Sequence, residues 1–264
     1  CCCARIHPQL LPIHDDIQDR DETRHHRKTL WAVWGVPKAL IAGNVLRVVA
    51  DKCLVDLEGQ GLEIDRVLGT VELLTEAYLR MIEGQYLDLA YEGRPDIGMD
   101  EYLDMISLKT GALIRCAMNL GAFIGSQDSG TVEAFRTCGR SLGCVFQITD
   151  DALGVWGQEK STGKPVGADI RRKKNSFPVV YTMSKAEGTE KKALLDIYAK
   201  DSVGDDDVAL VLDVMERTHA REQARSLAEE HRDRALSSLE GIEMASPARR
   251  DLEELGAFLL VREH

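Results

Sequence analysis

Three stretches of this chain repeat apolar residues at helical spacing, and each carries a polar or charged side chain on its apolar stripe. From Val67 to Glu92 the stripe is Val67, Val71, Leu74, Tyr78, Met81 and Leu89, with Gln85 among them. From Glu101 to Ile124 it is Tyr102, Ile106, Leu113, Cys116, Leu120 and Ile124, and Lys109 falls on it. From Val132 to Val155 it is Phe135, Gly139, Leu142, Phe146 and Leu153, joined by Asp150. Burying a charge without a partner is strongly unfavourable. For any one of these residues, a polar neighbour in a packed core explains the placement equally well. For all three, with Asp15 and Asp19 one turn apart on a fourth helix, a shared polar cavity is the simpler account. Bundles build metal sites in this way, from side chains on facing helices. The expected fold is therefore all-α, a helical bundle around a central cavity.

Punctuation along the chain agrees. No hairpin signal interrupts the helical pattern. Of the seven prolines, Pro37, Pro95, Pro165, Pro178 and Pro247 stand where helices should begin or end. The acidic run from Asp201 to Asp207 reads as a solvated loop, and the chain from Val208 onward as amphipathic helices. Ser246-Pro247 reads as a cap and first turn. At 264 residues the chain can bury one large core or two small ones, and it contains neither repeats nor low-complexity tracts. A net charge of −11 argues against nucleic acid as a partner. The seven cysteines, three of them consecutive (Cys1, Cys2, Cys3), show neither disulfide nor zinc spacing. They read as free thiols in a reducing compartment, which suggests the cytoplasm. The apolar segment Ala112 to Ile124 is too short to span a membrane and contains Arg115. No signal peptide is visible. The chain opens at Cys1 and soon enters its first acidic motif, so upstream sequence is expected.

Two acidic clusters carry the chemistry: Asp15-Asp16-Ile17-Gln18-Asp19 and Asp150-Asp151-Ala152-Leu153-Gly154. Facing carboxylates can hold Mg²⁺ while leaving positions open for phosphate oxygens. Nearby basic residues can bind the remaining phosphate charge. One such pentapeptide is weak evidence, because a helix that begins with acids looks the same. An EF-hand fails for want of the central Gly and terminal Glu. His14 and His25-His26 fit no common zinc spacing, and neither a P-loop nor a GxGxxG appears. The second cluster has the richer context. Phe146-Gln147 precedes it, and Gly163-Lys164-Pro165, Asp169 and the run from Arg171 to Lys174 follow. Gln147 lies one turn before Asp150 and Asp151, and Lys164, after a turn signal, can swing its ammonium over bound ions. The implied ligand is a diphosphate and the implied chemistry its departure.

These motifs occur in a familiar order. The first aspartate cluster is followed by Arg24, Trp31-Ala32-Val33-Trp34-Gly35, Gly84-Gln85 with Asp88, and Lys109-Thr110. Phe146-Gln147, the second cluster and Gly163-Lys164 complete the series. The chain resembles the trans-prenyl diphosphate synthases, the polyprenyl synthetase family of the class I isoprenoid synthases, over residues 4 to 264. The resemblance implies one isoprenoid synthase domain over residues 1–264, with further N-terminal helices upstream, usually in a homodimer. It implies three Mg²⁺ ions on Asp15, Asp19 and Asp150, with Asp16 and Asp151 also in the catalytic centre. Arg24, Lys109, Gln147, Lys164 and Lys174 would hold the allylic diphosphate, beside Thr110 and Phe146. The reaction would join isopentenyl diphosphate to that allylic diphosphate.

Departures from the family pattern refine this expectation. His25 stands where members usually carry a second arginine for isopentenyl diphosphate, and Gly154 stands where many members have a third aspartate, although an Asp-Asp-x-x-Gly version also occurs in the family. Asn44 replaces a common aspartate. Pro8 and Pro12 interrupt the usual helix, where proline costs roughly 3 kcal/mol. Members use a bulky aromatic five positions before the first aspartate to floor the product tunnel. Here that position is Leu10, beside Leu11, which implies a deeper tunnel and geranylgeranyl diphosphate as product. A terpene cyclase of the same fold, favoured by His25, is one rival reading. A non-catalytic regulatory subunit is another, and the retained aspartates, Lys109, Gln147 and Lys164 argue against it.

Overall fold

A computed structural model of the chain describes residues 13–24, 27–158 and 165–262. Leu10, Leu11, His25 and Lys164 lie outside these residues, as do Cys1, Cys2 and Cys3. The described backbone is almost entirely helical. Helix α1 covers residues 13–18, and strands β1 (Thr23–Arg24) and β2 (Arg27–Lys28) follow it. Then come α2 (Leu30–Trp34), α3 (Val36–Val55), α4 (Ile64–Tyr91) and α5 (Met99–Ile106). A π-helical turn, Ser107–Gly111, joins α5 to α6 (Ala112–Gly125), and α7 spans Ser129–Trp156. The remainder is α8 (Ala168–Arg171), α9 (Phe177–Lys185), α10 (Gly188–Tyr198), α11 (Asp205–Arg217), α12 (Ala220–Ser237) and α13 (Ser246–Val261).

Local chemistry explains the boundaries. Asp128 caps α7 by accepting from the Thr131 backbone N–H at 2.7 Å. Pro37, Pro178 and Pro247 occupy first turns, where a missing N–H costs nothing. The structure corrects several expectations. Ser246 is the first residue of α13, and Ala245 is its cap. Asp205, Asp206 and Asp207 form the first turn of α11 rather than a loop, at the helix end that favours negative charge. A hairpin does exist, pairing Thr23 with Lys28 and Arg24 with Arg27, but two residues per strand show no alternation to read. The helix expected from Glu101 to Ile124 carries the π turn at Lys109, a device that widens a helix and often marks a functional site. The π turn lies against α4 at Gly84, where a Cβ would come within 2.1 Å of the Lys109 nitrogen.

The core is organised around α7. Leu142, Val145 and Ile148 pack with Tyr102 and Ile106 of α5 and Phe177 and Val180 of α9. Ala224, Ala228 and Ala235 of α12 close the same cluster. Glycines bring α6 close: a Cβ on Gly139 would lie 2.8 Å from Arg115 Cα, and one on Gly143 2.6 Å from Gly111 Cα. On α4 the buried stripe is Val67, Thr70, Leu74, Ala77, Met81 and Gly84, so the expected Leu89 is exposed. None of the helices among the described residues is long and apolar enough to cross a membrane.

Candidate active site

A cavity of about 300 Å³ opens where α1, the π turn, α7 and α8 converge. It gathers Asp15, Asp19 and Arg24 from one side, Lys109 and Thr110 from another, and Phe146, Gln147, Asp150 and Asp151 from α7. Lys174, beyond α8, completes the wall. Every other described site residue expected from the sequence lines this cavity, but Asp16, which holds Arg24, does not, and Gln85, expected to share the cavity with Lys109 and Asp150, does not border it either.

In the first cluster each carboxylate has a cation. Arg24 donates from Nε to Asp16 Oδ1 at 2.8 Å and from Nη2 to Asp15 Oδ2 at 3.3 Å. Burial pushes the Asp16 carboxyl above its ordinary pKa, against the pull of Arg24. Lys109 Nζ donates to Asp88 Oδ2 at 2.5 Å and lies 3.6 Å from Asp15 Oδ1. Burial works against the Lys109 ammonium, but Asp88 and Asp15 outweigh it and hold its pKa above the usual value. Lys174 Nζ donates to Asp19 Oδ2 at 2.6 Å. It too stays charged despite burial, because Asp19, Asp88 and Asp169 surround it. Arg172 pairs with Asp21. Asp19 Oδ1 is buried and accepts no hydrogen bond.

The second cluster divides its two acids in a way the sequence did not show. Asp150, expected to face inward, is 56% exposed at the cavity mouth and accepts from Arg262 Nη2 at 2.9 Å. Asp151 is the buried one. It accepts from Tyr102 OH, from the Phe177 backbone N–H and from Gln147 Nε2, each at 2.7 Å. Gln147 Oε1 in turn accepts from Thr110 Oγ1 at 2.5 Å. Asp151 therefore ties α7 to α5 and α9 and orients Gln147. Burial, and then nearby Asp169, push its carboxyl up to about 7, while its three donors pull the other way.

Arg262 is the residue that sequence reading missed. Its guanidinium lies 3.9 Å from the Phe146 ring centre and donates to the Phe146 carbonyl at 3.0 Å. A lone arginine after an amphipathic helix carries no signal of such a role. Tyr102 was read only as a core residue, with nothing to mark its hydroxyl as the partner of Asp151.

The donor set suits a hard divalent cation. Asp15, Asp19 and Asp150 offer carboxylate oxygens from opposing walls, and Asp19 Oδ1 has an unused lone-pair face. Among the described residues no group of three or more such side chains converges closely enough to hold an ion as it stands.

Opposed carboxylates and ammonium groups around one cavity in an all-helical bundle are the architecture of an isoprenoid synthase. The chain belongs to the polyprenyl synthetase family, whose sequence profile matches residues 1–215. It is 32% identical over 254 residues to the (2E,6E)-farnesyl diphosphate synthase of Mycobacterium tuberculosis, covering 95% of this chain and 69% of that one. It is 36% identical over 253 residues to the short chain isoprenyl diphosphate synthase of Methanothermobacter thermautotrophicus, covering 96% and 75%. The crystal structure of geranylgeranyl pyrophosphate synthetase from Pyrococcus horikoshii superposes with a TM-score of 0.89 at 33% identity, covering 98% of this chain and 78% of that one.

Proposed function

We propose that the chain, one isoprenoid synthase domain throughout, is a Mg²⁺-dependent trans-prenyltransferase. It joins isopentenyl diphosphate to an allylic diphosphate and releases a short-chain prenyl diphosphate, geranylgeranyl diphosphate. The observation that carries this reading is one cavity that gathers Asp15, Asp19 and Asp150 together with Arg24, Lys109 and Lys174. Asp15, Asp19 and Asp150 would hold the ions, three by family resemblance. Bound there, Mg²⁺ would supply positive charge that offsets the charge of a leaving diphosphate.

The chain's own residues do the rest. Lys109 and Lys174, held charged in a largely buried site, supply fixed positive charge where the diphosphate develops its own negative charge. Arg24 adds a planar fork suited to phosphate oxygens. Asp151 and Thr110 fix the Gln147 amide beside Asp150. The C–O electron pair leaves with the diphosphate, the isopentenyl double bond supplies the pair for the new C–C bond, and the departed diphosphate takes up the proton that the coupled cation loses. No side-chain nucleophile is required.

An apolar face supports a homodimer. Ile41, Val45 and Val48 of α3 and Leu68, Leu79 and Ile82 of α4 are all exposed apolar side chains that a second subunit would cover. Sedimentation equilibrium should give twice the 29.3 kDa chain mass. The described cysteines Cys53, Cys116, Cys138 and Cys144 are free thiols, in keeping with a cytoplasmic location.

His25 favours a second reading, a cyclase that ionises a prenyl diphosphate without accepting isopentenyl diphosphate. A histidine lacks the always-charged planar fork of arginine and so holds a second diphosphate less firmly. Incubation with labelled isopentenyl diphosphate and each allylic diphosphate decides between them. Elongated diphosphates support the synthase. A cyclic hydrocarbon or alcohol from geranylgeranyl diphosphate alone, with no elongation, overturns it.

A further inference from the structure

Arg115 is a half-buried cation on α6 whose guanidinium has neither a hydrogen bond nor an ion pair among the described residues. Two packing contacts set its neighbours. A Cβ on Gly139 of α7 would lie 2.8 Å from Arg115 Cα. Arg136 and Arg140 flank Gly139 in the chain and project to the same side of α7. Toward α4, the Cys116 thiol donates to the Leu73 carbonyl at 3.6 Å, one turn before Glu76 and two before Arg80. Four arginines therefore gather over adjoining turns of three helices. Glu76 holds Arg80 at 2.7 Å and Glu133 holds Arg136 at 2.6 Å. Arg140, which is exposed, and Arg115 have no such acid. Burial first, then the positive charges of Arg80, Arg136 and Arg140, push the Arg115 pKa below its usual value, and Glu76 offsets only part of this. Such an excess of cations runs against the −11 charge of the whole chain. None of the four arginines borders the cavity described above.

We propose that Arg80, Arg115, Arg136 and Arg140 form a second anion site, outside the cavity, for a compact phosphate-class anion carrying at least two negative charges. Guanidinium forks match phosphate oxygens in geometry and charge. The competing account is an ordinary solvated face. On such a face each cation is well hydrated or paired along its own helix, as Arg225 is with Glu229 and Arg234 with Glu230 on α12. Arg115 has lost part of its water and gained like charges instead, and a bound anion supplies the missing countercharge. The charge centres on Arg115, on the middle helix, rather than running along a groove. That arrangement suits a compact oxyanion over an extended acidic peptide. The site stands independently of the function proposed for the cavity.

The test is isothermal titration calorimetry with inorganic diphosphate, in EDTA and at constant ionic strength so that screening does not change. Wild type is compared with Arg115→Gln, Arg140→Gln and Lys174→Gln, the last a control for binding in the cavity. Arg115→Gln and Arg140→Gln should each weaken binding by at least about tenfold, since each removes a charged hydrogen-bond donor. Lys174→Gln should leave the Arg115-dependent binding in place. Without anion, both arginine variants should melt no lower than wild type, because the charges removed are unpaired. A second titration with isopentenyl diphosphate separates the two sources of such a group. Arg115-dependent binding of both ligands means that the site reads the diphosphate head alone, and binding of the inorganic ion only means that it excludes a tail; either result upholds the site. Binding lost in Lys174→Gln but kept in both arginine variants places the anion in the cavity and overturns the inference. Wild type that binds neither ligand overturns it too, and a lower sedimenting mass of Arg115→Gln would then make the patch a protein contact. If Arg115→Gln does not fold, Arg140→Gln, at an exposed position, decides by itself.

Discussion

Replacing Asp151 tests the division of labour between the two adjacent acids. Asp151→Ala removes the acceptor for Tyr102 OH, the Phe177 N–H and Gln147 Nε2. Tyr102 and Phe177 are almost wholly buried, at 0% and 1% exposure, so their donors find no water. Gln147 borders the cavity and can turn to solvent. Two orphaned donors cost roughly 2–6 kcal/mol, at 1–3 kcal/mol each. Removing a carboxylate whose burial is itself unfavourable returns part of that, leaving a net loss of roughly 2–4 kcal/mol. For a chain of this size that is a fall in Tm of roughly 5–10 °C. The sign of the pH dependence follows from linkage. The folded Asp151 carboxyl titrates at about 7 and the unfolded one near 3.8, so the folded state holds the extra proton between those values. Wild-type stability from this group therefore declines as pH rises through that window, and the substitution should cost more at pH 5 than at pH 8. Urea unfolding followed by circular dichroism, in EDTA, measures both. Tyr102→Phe, which removes one donor and leaves Asp151 two, should cost only about 1 kcal/mol. An Asp151→Ala variant that unfolds at the wild-type urea concentration, or whose deficit grows with pH, would refute the buried-acceptor account.

Asp15→Ala, Asp19→Ala and Asp150→Ala should each abolish turnover, since lost leaving-group stabilisation is worth several kcal/mol; near-normal turnover in Asp150→Ala would sink the metal assignment. Arg262→Ala frees Asp150 from its 2.9 Å ion pair, so the Mg²⁺ concentration at half-maximal rate should fall, and an unchanged value would count against competition at that carboxylate. Leu10→Phe should shorten the product from geranylgeranyl to farnesyl diphosphate, read by chromatography of the dephosphorylated alcohols; an unchanged product means the tunnel floor lies elsewhere. His25→Arg should lower the KM for isopentenyl diphosphate and barely move that for the allylic substrate, because it restores an always-charged fork at one diphosphate only; equal shifts in both would place the residue between the two sites.

Much of the bundle was legible because helical periodicity reports which face each helix buries. Lys109 and Gln147 reached the cavity for that reason, and Pro37, Pro178 and Pro247 marked helix starts through their missing donors. Periodicity does not say what a face meets. Positions 150 and 151 are neighbours on one broad face of α7, and nothing local tells which turns inward. Tyr102 and Phe177 decide it, from two other helices. Arg262 reaches Asp150 from the far end of the chain, a pairing that exists only after α13 has packed. The π turn at Lys109 is similarly tertiary, fitted to α4 at Gly84.

Position 154 shows what a linear motif leaves out. In three dimensions the Asp169 carboxylate lies where a side chain at 154 would be, and glycine is the residue whose lack of Cβ lets it stand there. Sequence spacing matters only insofar as it brings groups together in space. The same reasoning runs through the first cluster. Asp15 lies in α1 and Asp19 one turn on, just past its end, yet the charges that balance them come from β1, the π turn and the segment after α8. Cations from distant parts of the chain thus balance the carboxylates gathered in this partly buried cavity. Ligand exchange at this site is therefore a trade of one set of positive charges for another, and affinity for a divalent ion should depend on Arg24, Lys109, Lys174 and Arg262 as much as on the aspartates themselves.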